Sequence, residues 1–369
     1  MSFYDKLKEY DNFDFEPYLE NVTNEDVERV LGKENLTEKD FLTLLSPKAE
    51  NYLEAMAQKA RNLSLKNFGK TVLIYTPMYV ANYCENKCIY CGYNVENHIK
   101  RKKLTLEEVE EEAKAVYAKG IRHILILTGE SRYHSPVSYI KDCVNILKKY
   151  FSSISIEVYA LEEEEYRELV EAGVDGLTIY QEVYNEEVYK KVHLSGPKRN
   201  FRYRLEAPER ACRAGMRSLG VGALLGLHDF RKEAFFSALQ AYYIQENFPY
   251  VELCMSLPRI RPHVGSPIKI HDVNDKNIVQ IMLAYKLFLP RAGTNITTRE
   301  RAEFRDNLIQ LGITKISAGV SVEVGGYSNK EKGEAQFDID DSRSIEEVRN
   351  MLKEKGFNPV FKDWQRGLV

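Results

Sequence analysis

From residue 71 onward, short apolar or β-branched runs alternate with longer stretches whose apolar residues recur at helical spacing. The runs are TVLIYTPM (71–78), HILILTG (123–129), SISIEVY (153–159), GLTIYQE (176–182), LGVGALLG (219–226), VELCMSL (251–257), TNITT (294–298) and ITKISA (313–318). Most are near-continuous in apolar character, as strands buried on both faces of a parallel sheet are. Between the first two, Thr105 and Glu108 make a capping-box pair and Gly120 suits a left-handed helix end. The helix before the third run starts on the pair Ser135-Pro136. A doubly wound open sheet shares this local pattern, but eight strand–helix units favour an α/β fold of the (β/α)8 barrel type.

Residues 36–69 have helical spacing throughout, with Ser46 placed as an N-cap and Pro47 as the first helical residue. The chain has no repeat of the solenoid kind and no Pro/Ser/Gly-rich linker, so the one candidate boundary lies near residue 70. This predicts a helical wrapper over 1–70, a barrel over 71–320 and a short C-terminal extension over 321–369. Polar residues gather just after the runs: TGE (128–130), QE (181–182), HD (228–229), PRIRP (258–262) and TRE (298–300). In a barrel those strand ends converge on one mouth.

Composition narrows the class. With 369 residues, 44% hydrophobic and 29% charged, and a net charge of -3, the chain can bury a sizeable core. The balance lacks the basic stripe of a nucleic-acid surface. No run approaches the roughly 18 apolar residues of a membrane span, and MSFYDKLKEYDNFDF has no leader pattern, so a cytoplasmic location is expected. Six cysteines are too few for a disulfide scaffold in so long a chain.

Three of them, Cys84, Cys88 and Cys91, stand in ANYCENKCIYCGYN as C-x3-C-x2-C, directly after the first run. A structural zinc needs four ligands; His98 is the nearest residue that could complete one. Cys143 and Cys212 fall on helical faces and Cys254 in a strand, where buried apolar roles suffice. Three soft thiolates suit an iron–sulfur cubane with one iron left open for a substrate or cofactor. An electron carrier normally supplies four cysteines per cluster.

The triplet, with Tyr90 before its last cysteine, resembles the signature of radical S-adenosylmethionine (SAM) enzymes. The resemblance runs from about residue 40 to the C-terminus and includes YQEVYNEEVYKKVHLSGPKRNFRYRLEAPERACRAG, GVGALLGLHDFRKEAF, PRIRP, TTRE, GGYS and KDWQ, which look like the tyrosine lyases. Two branches share the pattern, the thiamine-pathway lyases and the hydrogenase-maturation lyases; tryptophan lyases are more distant. The maturation branch carries a further cysteine motif for a second cluster, and no cysteine follows Cys254 here, which favours the thiamine branch. The family pattern QETYH reads QEVYN in this chain, with Asn185 in place of the histidine.

The resemblance implies a [4Fe-4S] cluster on Cys84, Cys88 and Cys91, with S-adenosyl-L-methionine on its open iron and Tyr90 beside the adenine. Gly129 would allow close backbone approach and Glu130 would accept from the SAM amino group; Glu157 would meet another polar group of SAM. Arg204 is the candidate for the SAM carboxylate, and Arg202 and Arg210 offer the same fork. Arg299 and Ser317 would bind the carboxylate of the amino-acid substrate, L-tyrosine. Arg259 and Arg261 are expected in supporting roles, and GGYS as a turn near the mouth. The implied reaction cleaves the Cα–Cβ bond of tyrosine to 2-iminoacetate and p-cresol. Implied partners are a thiazole synthase (ThiG) and a flavodoxin- or ferredoxin-type reductant.

Overall fold

A computed structural model of the chain describes residues 2–265, 269–328 and 331–362. Every apolar run supplies a strand: β1 Thr71–Ala81, β2 His123–Thr128, β3 Ser153–Glu157, β4 Gly176–Thr178, β5 Ser218–Gly222, β6 Glu252–Ser256, β7 Gly293–Ile296 and β8 Lys315–Ser317. All neighbours pair in parallel, and β1 pairs with both β2 and β8, which closes the barrel. The runs read as continuously apolar because helices cover their outer faces while the barrel core takes the inner ones.

A ninth strand, β9 Asn358–Val360, was not foreseen. It lies beside Thr71–Leu73 of β1, before β2 begins, and Arg122 N–H donates to the Phe361 carbonyl to continue the edge. Three residues centred on a proline form no apolar run, and proline is tolerated there because the strand is an edge.

Local signals were mostly realised. Thr105 and Glu108 cap the helix Leu106–Ala118, and Gly120 has φ +91°. The helix expected from Pro47 differs: Lys48–Tyr52 forms a 3₁₀ turn, and the α-helix begins at Leu53. Gln280 donates from its side-chain amide to the carbonyls of Leu44 and Ser46, and this tertiary contact holds the turn. Ser46 Oγ still caps it by accepting from Ala49 N–H at 3.2 Å. Pro136 likewise takes the N-cap position of Val137–Leu147 rather than its first turn, with Ser135 Oγ turned to the Gly129 and Ser131 carbonyls.

The N-terminal helices pack on the barrel through aromatic contacts; Phe41 stacks on Phe288 with ring centroids 4.9 Å apart. Among the described residues, no helix is long and apolar enough to cross a membrane. KDWQ extends beyond Lys362, so Asp363, Trp364 and Gln365 lie outside the described residues.

Candidate active site

β1 is eleven residues long and delivers the chain to a loop that carries the three thiols. Arg101 clamps this loop by donating to the carbonyls of Asn82 (2.7 Å), Tyr93 (2.9 Å) and Asn94 (2.6 Å). Its other side is stitched to residues 192–195 by backbone bonds Lys87 to Ser195, Leu194 to Lys87 and Ile89 to Val192. Gly129 closes the third side: its N–H donates to the Ala81 carbonyl, and Glu85 N–H donates to the Glu130 carbonyl. A Cβ on Gly129 would lie 2.3 Å from the Tyr83 carbonyl oxygen, so only glycine permits this approach.

The result is a cavity of about 130 Å³ lined by Cys84, Cys88, Cys91, Tyr90, Gly129, Glu130, Glu157, Arg204 and Arg299. A smaller pocket of about 60 Å³ shares Glu157, Arg299, Tyr79, Tyr180 and Phe337 with it and adds Ser317. All ten candidate residues therefore meet at one mouth, thiols on one side and Ser317 on the other. A larger cavity, about 290 Å³, lies at the opposite end of the barrel. Tyr75, Leu125 and Tyr180 stand between it and the mouth, and none of the clustered thiols reaches it.

The thiols are free, and their surroundings suit a cluster. Amide nitrogens of Asn86 and Gln336 lie 3.7 Å from the sulfurs of Cys84 and Cys91. Burial pushes the Cys88 and Cys91 thiols up, the neighbouring Cys84 adding to the effect at Cys91, so without metal both stay protonated. A bound cluster would take them as thiolates and release those protons. Among the described residues no group of three His, Cys, Asp or Glu could hold a single metal ion. His98 is exposed and does not line the cavity.

Charged groups in the mouth are tightly arranged. Asn86 donates to Glu130 Oε2 at 2.6 Å. Arg204 donates through Nε to the Tyr180 carbonyl at 2.8 Å and lies 3.5 Å from Glu182. Arg202 pairs with Glu206 on the surface, and Arg210 is spent on the Leu161 and Tyr203 carbonyls, so only Arg204 of the three faces the cavity. Burial raises the Glu157 carboxyl to about 7, with Arg299 opposing and Glu182 reinforcing. Arg299 lies over the Phe337 ring, 3.5 Å from its centroid. Among the described residues no carboxylate is in ion-pair contact with Arg299.

Several functional-looking residues escaped the sequence reading. Glu182 has φ +71°, a conformation costly for a non-glycine residue, and its carboxylate is 2.7 Å from Lys198 Nζ. Burial opposes its charge, but Lys198 and Arg204 hold it below the ordinary carboxylate value. The QE pair after the fourth run was the available signal; nothing local marked Lys198. His193 Nε2 lies 2.7 Å from the Tyr90 hydroxyl and its Nδ1 is 2.9 Å from the Tyr189 carbonyl, so Nδ1 carries the proton and Nε2 accepts.

GGYS forms the expected turn, its Tyr327 hydroxyl donating to the carbonyl of Pro77, which lines the smaller pocket; it lines neither pocket itself, and the Tyr327 and Ser328 backbone N–H groups bind the Glu112 carboxylate on an outer helix. Two expectations need correction. Arg259 is structural, held by Glu300 and Asp275, but Arg261 lines the cavity and pairs with Asp340 at 2.6 Å. Cys254 lines the lower cavity and is not fully buried. Asn185, where the related pattern has histidine, caps the helix Glu186–Val192 by accepting from Val188 N–H.

A closed parallel barrel with three convergent thiols after β1 defines a radical SAM enzyme. Residues 78–239 match the model of the Radical SAM superfamily, and 256–358 that of the Biotin and Thiamin Synthesis associated domain. The chain is 37% identical over 364 residues to the 2-iminoacetate synthase of Escherichia coli (strain K12), covering 98% of this chain and 97% of that one. It is 36% identical over 368 residues to the enzyme of the same name from Salmonella typhimurium (strain LT2), covering 100% and 98%. The solved structure of HydG from Carboxydothermus hydrogenoformans, an FeFe-hydrogenase maturase, superposes with a TM-score of 0.85 at 29% identity, over 97% of this chain and 82% of that one. The chain belongs to the 2-iminoacetate synthase family.

Proposed function

We propose that this enzyme is a lyase that breaks the Cα–Cβ bond of L-tyrosine, yielding 2-iminoacetate and p-cresol for assembly of the thiazole of thiamine. The carrying observation is the shared wall: Glu157 and Arg299 line both the thiol cavity and the pocket that holds Ser317. Cys84, Cys88 and Cys91 would anchor the [4Fe-4S] cluster, which with S-adenosyl-L-methionine supplies a 5′-deoxyadenosyl radical able to take a hydrogen atom from the substrate amine. Arg204 and Glu130 would hold the carboxylate and amino ends of SAM, Glu157 a further polar group, and Tyr90 and Gly129 its adenosyl portion. Arg299 would grip the tyrosine carboxylate with its two-pronged guanidinium, Ser317 Oγ adding a hydrogen bond. Positioning the substrate amine and limiting the access of water would be the main contribution of the chain.

Under the same reading residues 1–70 form a helical wrapper on the barrel of 71–320, and 321–369 are a short C-terminal extension that packs on it. The enzyme works in the cytoplasm, takes electrons from a flavodoxin- or ferredoxin-type carrier, and passes its readily hydrolysed imine to a thiazole synthase. The test is anaerobic: reconstitute with iron and sulfide, add SAM, dithionite and tyrosine, and measure p-cresol. Deoxyadenosine without p-cresol, together with 3-methylindole from tryptophan, would overturn the assignment.

A further inference from the structure

Residues 334–341 cross the mouth as an irregular strap, and Gln336 on it reaches a cysteine sulfur. Its amide nitrogen lies 3.7 Å from Cys91 Sγ, while its amide oxygen accepts from the Tyr79 hydroxyl at 2.9 Å. The hydroxyl fixes which end of the amide faces which way, leaving N–H for the sulfur.

The backbone repeats the tie. Gly92, next after Cys91, donates its N–H to the Gln336 carbonyl at 3.2 Å, and Gln336 N–H donates to Val322. A Cβ on Gly92 would meet that carbonyl oxygen at 2.6 Å, so the strap can approach only because the residue is glycine. Farther on, the N–H groups of Asp340 and Asp341 both reach the Thr298 carbonyl, and Arg261 pairs with Asp340. With Glu334 N–H donating to the Lys100 carbonyl, the strap is anchored on both sides of Gln336. The comparable amide at Cys84 is shared: Asn86 gives a 2.6 Å bond to Glu130, a stronger charged acceptor than sulfur. Among the described residues no such competitor meets the Gln336 amide nitrogen, which is aimed at the sulfur.

We propose that Gln336 is a positioning residue that raises the reduction potential of the cluster by donating an N–H to the Cys91 thiolate. Reduction adds negative charge to the cluster, so a donor on a ligand sulfur stabilises the reduced form more than the oxidised one. This rests on the reading that Cys84, Cys88 and Cys91 hold a cluster. Because the amide is neutral, its effect persists across the working pH range.

The test is a redox titration followed by electron paramagnetic resonance, on the anaerobically reconstituted full chain without SAM. Gln336→Leu, close in size but without the donor, is expected to lower the ratio of reduced to oxidised cluster about tenfold at the wild-type midpoint, about 59 mV for one electron. Tyr79→Phe keeps the amide but frees it to turn, and should shift the midpoint the same way by less. A wild-type midpoint in Gln336→Leu with full iron content overturns the proposal. Should Gln336→Leu fail to hold iron, an unshifted Tyr79→Phe overturns it instead. A wild-type chain that takes up no cluster refutes the underlying cluster assignment, a separate outcome visible before any variant is compared.

Discussion

Replacing Gly129 by alanine tests whether the mouth depends on one close backbone approach. The added Cβ would stand 2.3 Å from the Tyr83 carbonyl oxygen and 2.9 Å from its carbonyl carbon. Even close C–H···O contacts keep carbon and oxygen about 3.3 Å apart, so the two segments must separate by about 1 Å. Gly129 φ is not in the left-handed region, so the effect is steric and not conformational. The clash falls between two backbone bonds, Gly129 to Ala81 and Glu85 to Glu130, and both must stretch to relieve it. Overpacking of this kind costs about 1–3 kcal/mol. Tyr83 precedes Cys84 directly, so a shift of this size reaches the cluster loop and should lower turnover about a hundredfold. Thermal unfolding, iron content after reconstitution and p-cresol formation would be measured side by side. The expected variant folds with a lowered midpoint and binds iron but turns over slowly. Wild-type midpoint and turnover together would show that the approach is looser than the structure indicates.

Three other outcomes are expected. Arg299→Lys keeps the charge but loses the two-pronged grip; it should raise KM for tyrosine about tenfold, corresponding to about 1.4 kcal/mol, with a smaller change in kcat, and equal losses of both would argue against a substrate contact. Glu157 rises from 4.5 to about 7, so between those values the folded chain keeps a proton that the unfolded chain has lost, and stability falls as pH rises through the window. Urea midpoints of Glu157→Gln should lack that part of the slope. Lys286 is buried with its Nζ on the Ala292 carbonyl, and burial lowers it from 10.5 to about 8. From about 8 to 10.5 the unfolded chain holds a proton that the folded chain has released, so stability rises with pH there. Lys286→Met should remove that rise and stabilise the chain at pH 7; an unchanged pH profile would mean that Lys286 keeps its charge without cost.

The strands were legible because burial on both faces writes itself into consecutive residues. β9 was not, since pairing along a short exposed edge needs no apolar run. The thiol triplet was legible because its spacing lies within one loop. Glu130 and Arg299 were readable as polar residues at strand ends, where closure of the barrel brings them to the mouth. The roles of Lys198, His193 and Gln336 were not, because each belongs to a segment remote in the chain from the residue it serves. The 3₁₀ turn after Pro47 shows a local signal overruled from afar, by the amide of Gln280.

By itself the sequence determined the alternation of strands and helices, the three-thiol motif and its chemistry, because these rest on residue type and short spacing along a covalent chain. Tertiary structure decided which arginine faces the cavity, which lysine holds Glu182 in its strained conformation, and which amide meets Cys91. Those contacts exist only once the barrel has closed and the strap has crossed its mouth, bringing together side chains whose separation along the chain carries no local pattern.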